Sequence, residues 1–224
     1  TRKTLRDPRV AMNLSDARKR FVIRAGLGAL HERYVHLREA REWIRNGRKG
    51  SPPHLIKQRM VREYRRRSGC KVLIETGTYQ GEMTDAMKRK FREIHSVELS
   101  RDLFEKASAK FAAYPHIHLY NGDSGEVLKS ILQKLDQPAL FWLDAHYSAG
   151  CTAKGDKLTP IEEELEQVFK HEYADRHVIL VDDARTFNGK DDYPTLEAVE
   201  ERIKKAGYRS FSVADDIIRI CNPV

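Results

Sequence analysis

From Lys71 onward, short apolar runs alternate with longer amphipathic stretches, and this alternation restricts the fold more than any other feature of the sequence. Such a pattern is typical of successive strand–helix–strand units that build a parallel sheet. The last two runs are only two residues apart, too few for a helical crossover, so they predict an antiparallel hairpin. We therefore predict a doubly wound α/β domain of about seven strands, the first five parallel. The predicted strands cover 71–75, 94–99, 117–121, 139–144, 177–183, 208–213 and 216–220, and the predicted helices cover about 81–91, 101–113, 124–136, 160–170 and 194–206.

The charge of the chain is distributed unevenly. The 224 residues include 41 Lys and Arg against 33 Asp and Glu, a net charge of +8. Residues 1–70 hold 20 Lys and Arg against 6 Asp and Glu, whereas residues 71–224 hold 21 against 27. Apolar residues at helical spacing predict one helix over 28–46 and a second that begins after Ser51 and ends before Gly69. We predict a basic helical extension over residues 1–68 and the α/β domain over residues 69–224.

The basic extension has several interpretations that the sequence leaves open. Its charge fits a nucleic acid, an anionic membrane surface or an acidic partner, and its helices fit a contact in a homo-oligomer. A simply solvated face is also a common reason for such charge. No run approaches the about 20 consecutive apolar residues of a membrane-spanning helix, and the first residues lack the apolar run of a signal peptide. Three cysteines without CxxC spacing fit free thiols in a reducing compartment, so we expect a cytoplasmic protein without structural zinc.

The residues that follow the first three predicted strands suit a ligand, because ligands of open parallel sheets bind at the carboxyl ends of the strands. Strand one leads into ETGTYQG at 75–81, where the two glycines permit a tight turn and a close approach of the next helix. Strand two ends at Glu98, whose carboxylate can accept hydrogen bonds from both ribose hydroxyls. Strand three ends in NGDS at 121–124, which offers a carboxylate and a hydroxyl to an adenine edge. These features together indicate a nucleoside site.

The first loop differs from the dinucleotide fingerprint G-x-G-x-x-G. It begins with Glu75, which would repel a pyrophosphate and suits an ammonium group. A cationic ligand with a nucleoside at one end and an amino acid at the other therefore fits this loop better than NAD.

These motifs resemble those of class I S-adenosylmethionine-dependent methyltransferases, over roughly two thirds of the chain and not over its first 70 residues. The E-x-G-x-Y-x-G form is similar to the first motif of catechol O-methyltransferase and its metal-dependent relatives. The resemblance implies a Rossmann-like methyltransferase fold and S-adenosylmethionine as the cofactor. It implies cofactor contacts from Glu75, Thr76, Gly77, Thr78, Tyr79, Gly81, Glu98, Asp123 and Ser124.

Three aspartates follow the next two strands. Asp144 ends strand four, and Asp182 and Asp183 end strand five. Carboxylates are the hard oxygen ligands that Mg²⁺ prefers. The resemblance to the catechol and macrolide-sugar O-methyltransferases likewise implies a divalent ion at these positions, which could be Mg²⁺, Mn²⁺ or Ca²⁺. In the alternative interpretation, Asp182 caps a turn, Asp183 pairs with Arg185 and Asp144 is the polar end of a buried strand.

The residues after Asp144 concern the acceptor. The catechol enzymes carry a lysine three residues after this aspartate, where the chain has Tyr147, and the macrolide-sugar enzymes carry an acidic base in the position of His146. Histidine titrates near neutral pH and is a plausible proton acceptor. We predict that His146 is the base, that Asp144 is catalytic through the metal, and that Tyr147 and Arg185 contact the substrate. A hydroxylated small molecule, a sugar or glycan rather than a catechol, is the favoured acceptor.

The leading hypothesis is therefore a metal-assisted O-methyltransferase of a hydroxylated small molecule. One alternative keeps the fold and makes RNA the substrate, with the basic extension attracting phosphates. Against it, the chain has no N-P-P-Y or D-P-P-Y motif for amino-group methylation. The other alternative is a non-enzymatic binding module that the extension anchors to a membrane or a partner.

Overall fold

The computed structural model describes residues 28–144 and 159–222. The chain divides into two compact units, with the boundary between Gly47 and Arg48. In the first unit the structure describes one helix, α1 (Gly28–Arg45), which agrees with the helix predicted there. None of the helices in the described ranges has both the length and the apolar character that a bilayer crossing requires.

The second unit begins with the second predicted helix and continues into a seven-stranded sheet. The strand order is β3-β2-β1-β4-β5-β7-β6, in which β1 to β5 are parallel and β7 is antiparallel to both of its neighbours. This arrangement confirms the predicted doubly wound sheet and its terminal hairpin. The elements are α2 (His54–Ser68), β1 (Val72–Thr76), α3 (Glu82–Met87), β2 (Glu93–Glu98), α4 (Arg101–Phe111), β3 (Ile117–Asn121), α5 (Ser124–Leu132), β4 (Ala139–Leu143), α6 (Ile161–Phe169), β5 (Val178–Val181), α7 (Leu196–Lys205), β6 (Ser210–Ala214) and β7 (Ile217–Cys221).

Side chains alternate between the two faces of the sheet, so each face builds its own core. Leu73, Leu140 and Leu180 pack on one face with residues of α2, α3 and α4. Ile74, Phe141 and Ile179 pack on the other face with residues of α5, α6 and α7. The central strands β1, β4 and β5 are buried along their whole length, as expected for strands covered on both faces.

Helix α2 corrects the predicted domain boundary at residue 68. It belongs to the compact unit that starts at Arg48, because its buried residues Met60 and Val61 join the core formed with β1 and β4. The second half of the predicted extension is therefore part of the α/β unit.

Several helix boundaries also differ from the prediction, including the end of α5, which lies at Leu132 and not at 136. Helix α3 ends at Met87, about one turn earlier than predicted, where the N–H of Lys90 donates to the Met87 carbonyl in a tight turn (2.7 Å). Helix α6 begins at Ile161 with Pro160 as its N-cap residue. The Thr159 hydroxyl accepts a hydrogen bond from the Ile161 N–H (3.3 Å).

Candidate active site

The carboxyl ends of the five parallel strands lie side by side at one edge of the sheet. Thr76 at the end of β1 is paired with Val97 of β2 on one side and with Leu143 of β4 on the other. The ladder continues one residue further, because the Asp144 N–H donates to the Thr76 carbonyl (3.1 Å) and the Asp182 N–H donates to the Leu143 carbonyl (3.0 Å). The order of strands changes direction at β1, and a crevice at that point is where ligands of such sheets bind.

The loop after β1 is fastened to the end of β2. The N–H groups of Gly77 and Thr78 both donate to the Val97 carbonyl, at 2.9 and 3.1 Å. The hydroxyl of Thr78 lies 2.6 Å from the hydroxyl of Ser96. Gly77 has a φ of +84°, a left-handed conformation that glycine adopts without strain. The loop therefore holds a fixed shape beside the crevice.

Gly81 fits the predicted close approach of a helix. It precedes α3 with a φ of +69°, and a Cβ at this position would lie 2.7 Å from Cε2 of the buried Phe111 ring at the end of α4. Lys110 donates from its ammonium group to the Gln80 carbonyl (3.0 Å) and fastens the same turn.

The carboxylate of Glu98 is held by the two loops that flank it. Its Oε2 accepts a hydrogen bond from the Tyr79 N–H (2.7 Å), and its Oε1 accepts one from the Ser100 N–H (2.8 Å). The residue is buried, with 5% of its surface exposed. Each carboxylate oxygen can accept a further hydrogen bond. Glu98 thus has a fixed orientation at the end of β2, and its contact with a ribose stays a prediction.

Glu75 is buried within β1 and faces two hydroxyl groups. Its Oε2 accepts hydrogen bonds from Thr84 (2.5 Å) and Ser96 (2.6 Å). Burial raises the pKa of Glu75 to about 7, although these two hydrogen bonds partly oppose the effect. An approaching ammonium group would favour the ionised carboxylate, since opposite charges stabilise each other strongly in a poorly solvated site.

Asp123 and Ser124 start helix α5 after β3. Asp123 is the N-cap residue, and its Oδ1 accepts a hydrogen bond from the Gly125 N–H (2.8 Å). Close to this turn, the fully buried Glu164 extends from α6, and burial raises the pKa of Glu164 to about 7, with Asp123 contributing to the rise. The predicted adenine end of the site is therefore acidic and tightly packed.

Asp182 carries a contact that the sequence analysis missed. Its Oδ2 accepts a hydrogen bond from the ammonium group of Lys57 on α2, and its Oδ1 accepts one from the Asp183 N–H (2.9 Å). Burial alone would lower the pKa of Lys57, but attraction by Asp182, Asp144 and Asp183 outweighs burial and raises it. Lys57 is therefore a protonated cation at the end of β4 and β5.

Asp183 pairs with arginine, as the alternative interpretation of the aspartates predicted. Its Oδ1 accepts a hydrogen bond from Nη1 of Arg185 (2.8 Å), and the same guanidinium group contacts Asp216 in the hairpin turn between β6 and β7. Arg185, a predicted substrate contact, is thus engaged in a network that holds the hairpin against the end of β5.

The three aspartates do not fit a divalent ion in this arrangement. Both oxygens of Asp182 already accept hydrogen bonds, one of them from an ammonium group, and Asp183 is paired with a guanidinium group. Within residues 28–144 and 159–222, no group of three His, Cys, Asp or Glu side chains is placed to hold a metal ion. Two of the three predicted metal ligands are thus paired with the protein's own cations, Lys57 and Arg185.

A small cleft opens beside this cluster. It is lined in part by Asp144, Asp182, Thr159, Phe187 and Tyr193. The last three are additional site residues that no motif indicated. The predicted base His146 and the predicted substrate contact Tyr147 lie outside the described residues.

Lys57 did leave a signal in the sequence. It lies on the same stripe of α2 as the buried residues Ile56, Met60 and Val61. A lysine within an apolar helical stripe indicates a buried partner, because long charged side chains are rarely buried without one. The partner, 125 residues further along the chain, could not be read from the stripe.

Solved structures with the same fold were found by comparison. A methyltransferase of Podospora anserina, solved with bound S-adenosylhomocysteine, is 17% identical, with 83% of this chain and 87% of that chain covered at a TM-score of 0.53. The O-methyltransferase TomG of Streptomyces achromogenes, solved with S-adenosylmethionine, is 16% identical, with 82% and 86% covered at a TM-score of 0.52. The N-methyltransferase NodS of Bradyrhizobium japonicum WM9 is 14% identical, with 76% and 97% covered at a TM-score of 0.51.

At these identities the comparisons establish the fold and leave the acceptor open, since both oxygen and nitrogen methyltransferases are among the similar structures. No protein-family model and no curated protein sequence matches the chain.

Proposed function

Because the chain has the fold of the class I S-adenosylmethionine-dependent methyltransferases, we propose that it transfers the methyl group of S-adenosylmethionine to an oxygen of a hydroxylated small molecule. The observation that carries this proposal is the orientation of Glu98. Two backbone N–H groups, from Tyr79 and Ser100, fix its carboxylate at the edge where a ribose would lie. A fixed carboxylate with accepting capacity at both oxygens matches the two hydroxyls of a ribose.

The cofactor has one orientation that agrees with the charges of the site. Glu98 would hold its ribose, Asp123 and Ser124 would hold its adenine, and the loop at 77–81 would hold its methionine end. The ammonium group of the methionine then approaches Glu75, which exchanges its proton for an ion pair. This orientation directs the sulfonium methyl group toward the ends of β4 and β5.

The reaction is an in-line displacement. The acceptor oxygen forms a bond to the methyl carbon, the carbon–sulfur bond breaks, and its electron pair stays on sulfur to give the neutral thioether of S-adenosylhomocysteine. The hydroxyl proton passes to a base, for which His146 stays the prediction. The protein accelerates this step chiefly by aligning oxygen, carbon and sulfur.

A sugar or glycan hydroxyl is the proposed acceptor. The cleft beside Asp144 combines the hydroxyl-bearing Thr159 and Tyr193 with the ring of Phe187, and the two aromatic rings lie 5.3 Å apart at a steep angle. The preference for a sugar rests on His146, which stands where the macrolide-sugar enzymes carry their base.

Two other possibilities stay predictions. Magnesium assistance agrees with the motif pattern, but the ion pairs of Asp182 and Asp183 argue against it. RNA as the acceptor agrees with the 20 Lys and Arg against 6 Asp and Glu of residues 1–70.

The test is an acceptor screen with S-adenosylmethionine labelled in its methyl group, applied to sugars, glycans, catechols and RNA, with and without EDTA. The proposal expects label in a sugar or glycan as an alkali-stable methyl ether. Label on nitrogen, or on RNA alone, would replace this acceptor assignment. Absence of transfer to every class by a folded protein that binds the cofactor would favour the non-enzymatic module.

A further inference from the structure

Lys57 is a buried cation in a place where most proteins avoid one. Its side chain is 14% exposed, and the side chain of its partner Asp182 is 1% exposed. Removal of the ammonium group would leave Asp182, whose pKa is raised by burial and by Asp144, without its cationic partner, which is strongly unfavourable. A pair of this kind therefore indicates a specific role at the ends of β4 and β5.

The position of the ammonium group is fixed from both sides. Helix α2, which carries Lys57, packs on β4 and β5 through the core that contains Met60 and Val61. The three aspartates extend from the ends of the same two strands and all attract Lys57. The lysine thus faces the acidic cluster that the sequence assigned to a divalent ion.

We infer that the Lys57 ammonium group takes the place of the divalent ion, so that the acceptor half of this site works without a metal. Lys57 holds the acceptor oxygen by hydrogen bonding, and Asp182 positions Lys57. The part of this inference that concerns the acceptor rests on the proposed function.

The donors of Lys57 make this substitution chemically reasonable. An ammonium group has three N–H donors, and Asp182 is the only acceptor of a hydrogen bond from Lys57 among the described residues. The other donors could bind an acceptor oxygen brought to the ends of β4 and β5, where they would stabilise the negative charge that develops as the hydroxyl loses its proton. Unlike a bound ion, this cation cannot be removed by chelation.

Metal binding tests the inference without any knowledge of the acceptor. The probe is Mn²⁺, followed by electron paramagnetic resonance, with the full chain in the presence of S-adenosylhomocysteine. The wild-type protein should bind no Mn²⁺ at the aspartates, whereas Lys57→Met frees Oδ2 of Asp182 and should gain one Mn²⁺ per chain, held by Asp182, Asp144 and water. The double variant that combines Lys57→Met with Asp182→Asn should not bind this Mn²⁺. Arg59→Met, which removes an exposed cation from the same helix, is the matched control and should behave as wild type.

If the wild-type protein binds one Mn²⁺ per chain and Asp182→Asn abolishes that binding, the inference is wrong. Failure of Lys57→Met to bind Mn²⁺ while it still binds S-adenosylhomocysteine would also overturn it, since the acidic cluster would then not be a site that the lysine fills. If Lys57→Met does not fold, the wild-type measurement decides alone. Binding of S-adenosylhomocysteine is measured separately from binding of Mn²⁺. A wild-type protein that does not bind S-adenosylhomocysteine would count against the proposed function and not against the role of Lys57.

Discussion

The backbone N–H of Tyr79 donates a 2.7 Å hydrogen bond to Oε2 of Glu98, and so joins the loop after β1 to the end of β2. Tyr79 has a φ of +47°, which is uncommon for a residue other than glycine. The bond to Glu98 helps to hold the loop in this conformation. One carboxylate thereby serves both the shape of the loop and the proposed recognition of the ribose.

Replacement of Glu98 by alanine should weaken the binding of S-adenosylhomocysteine at least about tenfold, because hydrogen bonds to a charged group contribute about 1.5–3 kcal/mol each. Isothermal titration calorimetry measures the change. Asp123→Ala should cause a smaller loss, since water or backbone can partly replace an adenine contact. Glu105→Ala is the control, because Glu105 is 60% exposed on α4 and pairs only with Arg101 among the described residues. Unchanged affinity in Glu98→Ala would contradict the ribose assignment.

Gly81→Ala should destabilise the fold more than Gly69→Ala does. Both glycines have a φ near +70°, but a Cβ at Gly69 meets nothing within 4 Å, whereas one at Gly81 meets Phe111 at 2.7 Å. The strained backbone costs about 1–2 kcal/mol in each variant, and the clash with a buried ring adds about 1–3 kcal/mol in Gly81→Ala. Urea denaturation followed by circular dichroism compares the two. Equal losses would show that the approach of Phe111 does not constrain position 81.

Glu164 should make the fold less stable as the pH rises. Burial raises the pKa of Glu164 to about 7, so the folded state binds a proton that the unfolded state releases near its ordinary value of 4.5. Its stabilising effect is complete below about pH 4.5 and is lost as the pH rises through about 7. Glu164→Gln should therefore gain stability relative to wild type between pH 5 and pH 8, by roughly 1–3 kcal/mol.

Denaturation by urea at several pH values measures this difference for Glu164. Glu166→Gln, on the exposed side of the same helix, is the matched control and should not reproduce the gain. A difference between Glu164→Gln and wild type that does not change with pH would show that Glu164 is ionised in the folded protein at neutral pH.

The sequence predicted the fold well because each strand and helix has a strong local pattern. The cofactor contacts stay a prediction, although the strand order brings Glu75, Glu98 and Asp123 to one edge of the sheet. The acceptor end was harder to predict. Lys57 lies 125 residues before Asp182, and its helix appeared to continue a basic extension. The pairing of Asp183 with Arg185 was foreseen only as an alternative.

A truncated protein that begins at Arg48 should bind S-adenosylhomocysteine within about twofold of the full chain. The reason is that the compact unit starts at Arg48, and every proposed cofactor contact lies in it. Arg48 is retained because its guanidinium group pairs with Asp215 (3.1 Å) in the terminal hairpin. Calorimetry measures the binding of S-adenosylhomocysteine by both proteins. Fluorescence anisotropy with labelled RNA measures whether either protein binds RNA. Salt-sensitive RNA binding by the full chain, lost on truncation, would promote RNA as the acceptor.

The most direct test of the central claim is a calorimetric titration of S-adenosylhomocysteine into the full wild-type chain. We expect saturable binding of one molecule per chain, with the affinity reduced in Glu98→Ala and preserved in Glu105→Ala. A folded protein that shows no saturable binding at concentrations up to about 1 mM, the upper end of common enzyme substrate affinities, would contradict the claim that the ends of β1 to β3 form a cofactor site.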